Sequence, residues 1–179
     1  NYGGRNRDDL DDLLGHMLGS EGTPRKIIFD GSTRISLTKP LQMVSYVSLE
    51  ANDGADITLK YPENSENGNV LLFKYVKGVS IKNISIENGE SVKGGGVFIR
   101  KSSPEFINVK FENNVSTDKG GAVYILNGNP TFENSTIKDN EALTEGGGIY
   151  LKASTAEINN TIIENNDVFS SDQNAHWNG

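Results

Sequence analysis

The chain has 179 residues, enough for one sizeable core or one short solenoid, and 35% hydrophobic residues with 20 glycines is lean for a compact α/β domain. Its net charge of −7, carried by scattered acids, argues against nucleic acid, because phosphate binding needs clustered Lys and Arg. The lack of cysteine excludes disulfides, thiolate zinc sites and a cysteine nucleophile, and no stretch approaches the ~20 apolar residues of a membrane span.

In chain order, the first pattern is helical. Leu10, Leu13, Leu14, Met17 and Leu18 fall at i, i+3, i+4, i+7 and i+8. Asp8, Asp9, Asp11 and Asp12 suit the positive N-terminal end of such a helix, and Gly19 suits its stop. Short strands follow, Ile27–Phe29, Ile35–Leu37, Val47–Leu49 and Ile57–Leu59, separated by turn residues.

A repeat then takes over. Gly94-Gly95-Gly96-Val97-Phe98-Ile99 aligns without a gap on Gly120-Gly121-Ala122-Val123-Tyr124-Ile125 and on Gly146-Gly147-Gly148-Ile149-Tyr150-Leu151, a step of 26. Phe106, Phe132 and Ile158 share that step, as do Phe111, Ile137 and Ile163. Ile81 to Asn88 matches Phe106 to Asn113 with a step of 25. Each unit holds three short apolar runs broken by Gly and Asn, which turn corners because they tolerate positive φ. A helical repeat would need two amphipathic helices per unit instead. The predicted fold is all-β: a right-handed parallel β-helix of about six coils, each of 25 to 26 residues, with coils stacked about 4.8 Å apart. The N-terminal helix caps it, covering unpaired strand edges and open core. The expected division is residues 1–23 for the segment with the cap, 24–169 for the β-helix and 170–179 for a polar tail, a candidate point of truncation.

Asn83, Asn108, Asn134 and Asn160 form a column in which each amide is expected to bond its copy in the next coil, a structural ladder. Asn114, Asn140 and Asn166 form a second column. Gly94, Gly95, Gly120, Gly121, Gly146 and Gly147 read as tight corners. A phosphate cradle would need a following helix, whereas a strand follows here. After Ile163 the chain turns polar and shows no second cap, which suggests a piece of a longer solenoid or an open end that pairs with another copy.

Two resemblances attach to these residues. Phe111-Glu112-Asn113-Asn114, followed by Gly120-Gly121-Ala122-Val123, resembles the repeat of polymorphic outer-membrane proteins, and the likeness spans roughly residues 83–166. It implies an autotransporter-like passenger displayed on a bacterial surface for adhesion. The other two Phe-x-x-Asn positions hold Ile137 and Ile163, and two of the Gly motifs read Gly-Gly-Gly. Pro24 to Gly31, followed by Val47-Ser48-Leu49, resembles the first coils of pectin-lyase-like proteins.

An enzyme site of that second kind would show acids gathered on one face in adjacent coils. The columns Glu112/Lys138/Glu164 and Asn113/Asp139/Asn165 do not gather acids; the first reads as a cross-coil ion-pair ladder. Arg100, with column mates Leu126 and Lys152, points outward without an acid nest, and His16 and His176 read as surface residues. Asn113, Asp139 and Asn165 are retained as a candidate structural Ca²⁺ site, and no other cofactor is expected. The Asn-x-Ser/Thr sequons at Asn83, Asn114, Asn134 and Asn159 would accept glycans only in a host that makes them.

The expected role is a non-enzymatic surface-exposed or secreted module for adhesion or extended display, with a host or neighbouring-cell surface protein or glycan as partner. The alternatives are a fragment of a polysaccharide lyase, hydrolase or glycan-binding β-helix, and a self-assembling fibre subunit that associates through its open C-terminal end.

Overall fold

A computed structural model describes residues 7–61 and 68–169. In it the chain winds through four parallel sheets, and almost every strand pairs with its own copy one coil away. Sheet 1 holds Arg25–Phe29, Val47–Ala51, Ser80–Lys82, Glu105–Ile107, Thr131–Glu133 and Glu157–Asn159. Sheet 2 holds Thr33–Ser36, Ile57–Lys60, Ile84–Glu87, Lys110–Glu112, Thr136–Lys138 and Ile162–Glu164. Sheet 3 holds Leu41–Gln42, Leu71–Lys74, Val97–Arg100, Val123–Leu126 and Ile149–Lys152. Sheet 4 holds Glu90–Lys93, Val115–Lys119, Glu141–Ala142 and Asp167–Val168. A late coil passes from sheet 1 to 2, then 4, then 3.

Six strands in sheets 1 and 2 make about five full turns. Later coils carry four strands where the pattern predicts three. The extra strand was hidden because it turns a single small residue inward, Ser116 or Ala142, rather than an apolar run. The register puts Phe106 between Ile81 and Phe132, and Phe111 between Ile86 and Ile137, as the repeat requires. The early coils are uneven: Asn52 bonds Asp30 across 22 residues, and Asn83 bonds Ala51 across 32.

The core is a narrow column of inward side chains. Phe106 and Phe132 stack with centroids 5.1 Å apart, and Phe111 meets Phe106 edge-on at 5.3 Å. Burying such rings is the main favourable term in a fold this thin. The coil is bent at left-handed residues that recur in register. Asn83, Asn108, Asn134 and Asn160 have φ between 47° and 58°. Asn88, Asn113, Asp139 and Asn165 repeat this between sheets 2 and 4, at 51° to 56°. Asn and Asp are the non-glycine residues that enter this region most readily.

At the N-terminal end a helix spans Arg7–His16. Leu10 and Leu14 are fully buried in the common core, and Met17 packs partly against it. Two stripe positions differ from expectation. Leu13 lies at the helix margin, and Leu18 is 83% exposed because the helix ends at His16, before Leu18 can complete the stripe. The aspartate side chains of this segment lie outside what the structure describes, as do residues 170–179 with His176 and Trp177.

Candidate functional site

The two asparagine columns divide the work differently from expectation. In the first, one amide relay occurs: Asn108 Nδ2 donates to Asn83 Oδ1 at 2.9 Å, and Asn83 Nδ2 donates to the Ala51 carbonyl. Asn134 instead reaches Glu133 at 3.4 Å. These corners lie at the surface, where water competes for the amides. The buried ladder is the second column. Asn114 Nδ2 donates to Asn140 Oδ1 at 3.0 Å, and Asn140 Nδ2 donates to Asn166 Oδ1 at 2.8 Å. Each Oδ1 also accepts a backbone N–H from the coil before it, from Gly89, Asn114 and Asn140 in turn. Each Nδ2 also donates to a carbonyl one coil back, at Ile86, Phe111 and Ile137. A left-handed residue just before each ladder Asn turns it inward, so every polar atom there finds a partner. Burial of Asn114 also closes its sequon to a glycan in the folded chain.

The glycine triplets serve the same winding. Gly94, Gly120 and Gly146 have φ of 65°, 71° and 65°. A Cβ on Gly121 would lie 2.0 Å from the Gly147 carbonyl oxygen, and one on Gly95 would lie 2.3 Å from that of Val115. Gly147 is closed in the same way by Asp167. The third position is less demanding, since Ala122 occupies it in one coil.

Outside the core, Asn113, Asp139 and Asn165 stack at one left-handed corner with a single carboxylate among them. Lys138 Nζ lies 3.7 Å from Asp139 and 3.6 Å from Glu112, so an ammonium already neutralises this corner. Among the described residues, no group of three His, Asp or Glu side chains is placed to hold a metal ion. A second charge ladder crosses sheet 1, where Glu50 meets Lys26 at 2.7 Å and Lys82 at 3.3 Å. The hydrogen bond from Lys26 holds the Glu50 carboxyl below its ordinary range, against partial desolvation, with Lys82 acting in the same sense. Glu145 likewise holds the Lys119 ammonium above its ordinary value. Among the described residues, clefts open along the rod. One, of about 360 Å³, is lined by Asn52, Asp53, Asp56, Asn83, Asn108 and Lys110. Another, of about 570 Å³, runs past Glu21, Tyr46, Lys77 and Glu105.

The outer face of sheet 3 was not singled out by sequence. Phe98, Tyr124 and Tyr150 stand in one outward row, with ring centroids 5.6 and 5.3 Å apart. Lys74, Lys93 and Lys119 lie over the three rings, at 5.8, 5.5 and 4.9 Å from the centroids. The next outward row is Lys74, Arg100, Leu126 and Lys152. Arg100 and Lys101 both lie over the exposed ring of Tyr75. The aromatic row recurs in the sequence at a spacing of 26, whereas the lysines over it are far apart in the chain and meet only after winding.

A stack of parallel strands with in-register asparagine and aromatic columns defines the class: a parallel β-solenoid with structural ladders. A family model described as right handed beta helix region matches residues 40–178, and the chain belongs to that family. The solenoid is therefore right-handed, in keeping with the handedness of parallel crossovers. Neither the curated proteins nor the solved structures include one that matches the chain. Among the described residues, no helix is long and apolar enough to cross a membrane.

Proposed function

We propose that this chain is a non-enzymatic, surface-exposed or secreted module, a stiff rod for adhesion or extended display like an autotransporter passenger. The observation that supports this is the self-pairing of its outward rows. Glu50 pairs with Lys26 and Lys82 across three coils, Glu112 pairs with Lys138, and Phe98, Tyr124 and Tyr150 stack on each other. General acid or base chemistry uses groups poised against substrate, whereas these groups are engaged with the next coil. They serve length and stiffness. The partner of such a rod is a surface protein or glycan on a host or neighbouring cell.

The test pairs two measurements on the full chain. Labelled protein is expected to bind cells, and polygalacturonate incubated with it and Ca²⁺ is expected to yield no unsaturated product and no new reducing ends. Turnover would replace the display reading with the lyase or hydrolase alternative.

A second reading has its own support. Ile158, Ile162, Ile163, Val168 and Phe169 are 44 to 56% exposed, whereas Phe132 and Ile137, one coil earlier, are fully buried. A second copy could cover this end. Because Leu10 and Leu14 already close the other end, the contact would pair like with like and give a dimer rather than a fibre. Light scattering at rising concentration distinguishes a mass that stops at two copies from one that keeps growing.

A further inference from the structure

We propose that Asn127 is a site of spontaneous covalent modification, a coil corner that converts to aspartate and isoaspartate at a rate set by one guarding hydrogen bond from Ser154. The inference goes beyond the display reading and does not depend on it.

The chemistry belongs to the Asn-Gly pair. The glycine backbone nitrogen attacks the asparagine Cγ and an N–Cγ bond forms. The Cγ–Nδ2 bond breaks, and the side-chain nitrogen leaves as ammonia, taking the glycine amide proton. Water then opens the resulting succinimide at either carbonyl, giving aspartate or isoaspartate. Water is the only co-reactant. Glycine favours the step because it has no Cβ to crowd the attacking nitrogen. A glycine N–H committed to another acceptor opposes it, since that bond must open first.

The sequence holds Asn-Gly at residues 67, 88, 127 and 178, and Asn88 and Asn127 lie among the described residues. Both are left-handed corners, with φ of 56° and 52°. Their guards differ. The Gly89 N–H donates to the buried Oδ1 of Asn114 at 3.0 Å. That carboxamide is itself fixed by the Ile86 carbonyl and by Asn140, both at 3.0 Å. The Gly128 N–H donates instead to the Ser154 hydroxyl at 3.1 Å. Ser154 is tied only to the Lys152 carbonyl, at 2.8 Å in an exposed setting. It follows Ile149–Lys152, the edge strand of sheet 3, which pairs on one side only. Asn127 is also exposed, whereas Asn88 is half-buried. Opening the first corner disrupts the buried ladder; opening the second breaks one surface contact.

The product has a structural consequence. Isoaspartate routes the main chain through the side-chain carbon and adds one backbone atom at the corner. The Asn127 N–H bonds the Lys152 carbonyl, and the Leu126 carbonyl before it accepts from Lys101. Both bonds depend on the register that the extra atom breaks, so modification loosens the last coil from its neighbour.

The test incubates the full chain at near-neutral pH and physiological temperature, folded or in urea. Site-resolved peptide mass spectrometry follows the gain of about one dalton at Asn127 and Asn88, and isoaspartate is identified by enzymatic carboxyl methylation. In urea the two sites should convert at similar rates. In the folded chain Asn127 should convert about tenfold or more faster than Asn88. Ser154→Ala should speed Asn127 several-fold and leave Asn88 unchanged, while Ser154→Thr, which keeps the hydroxyl, should restore the slow rate. Circular dichroism reports whether each variant keeps its fold. If Ser154→Ala misfolds, the comparison of Asn127 with Asn88 in the unaltered chain decides alone. Equal rates at the two sites in the folded chain, no gain at Asn127 while the urea sample converts, or a folded Ser154→Ala that converts no faster would each overturn the proposal.

Discussion

Asn140 is the position where the ladder can be tested most sharply. Its side chain is buried and makes five hydrogen bonds. Oδ1 accepts from the backbone N–H and Nδ2 of Asn114, both at 3.0 Å. Nδ2 donates to Asn166 Oδ1, Phe111 O and Lys138 O, at 2.8, 2.9 and 2.8 Å. Truncation in Asn140→Ala leaves the buried Asn114 amide without its acceptor and takes a donor from two carbonyls. A buried polar group left unpaired costs about 1–3 kcal/mol, so the summed loss should be about 3–4 kcal/mol. At Asn134, by contrast, the side chain makes one 3.4 Å contact and the main demand is a φ of 49°. Asn134→Gly should therefore change stability by less than about 0.5 kcal/mol, while Asn134→Ala costs about 1 kcal/mol through the left-handed backbone. Urea unfolding gives the two losses, and amide exchange at Asn114 locates the first. If Asn140→Ala and Asn134→Gly cost the same, the division into a buried ladder and a surface corner is wrong.

Other outcomes follow from the packing. Gly121→Ala should cost about 3 kcal/mol or more or prevent folding, because its Cβ meets backbone oxygen at 2.0 Å, whereas Gly96→Ala should stay within about 1 kcal/mol, since Ala122 already fills that column; thermal unfolding compares them. Leu14→Ala should cost about 2–4 kcal/mol by opening a cavity under the cap, while Leu18→Ser should be neutral within about 0.5 kcal/mol, both read in urea. Glu50 has a lowered folded-state pKa, so its ion pairs stabilise the fold above its ordinary unfolded value and that contribution fades as pH falls through the folded value. Glu50→Gln should therefore flatten the acid limb of a stability–pH profile and leave its shape near neutral pH unchanged.

The sequence made the winding legible wherever one residue type recurs for one physical reason. Phe106 and Phe132 fill the core, Gly94 and Gly120 turn a left-handed corner, and Leu10 with Leu14 closes an end; each leaves a mark at a fixed interval. What it concealed falls into two kinds. The inward column of sheet 4 is Ser91, Ser116, Ala142 and Val168, one residue per strand and mostly small, so it carries no apolar run. The second asparagine column looks identical to the first in sequence, and only the residue preceding it, left-handed at Asn113, Asp139 and Asn165, decides which amides point inward. The cationic face was concealed differently: Lys74, Arg100 and Lys152 are scattered in the chain and neighbours only after winding.

The corners also make the length of this protein a quantity that can be counted. With the left-handed residues in fixed register from Asn83 to Asn165, one further block of 26 residues would meet the same ledge of amides and carbonyls that every existing coil meets. A duplicated block would lengthen the rod by about 4.8 Å and leave the rest in place. The molecule thus works as a ruler graduated in coils, and its reach can change by copying a unit rather than by redesigning a core.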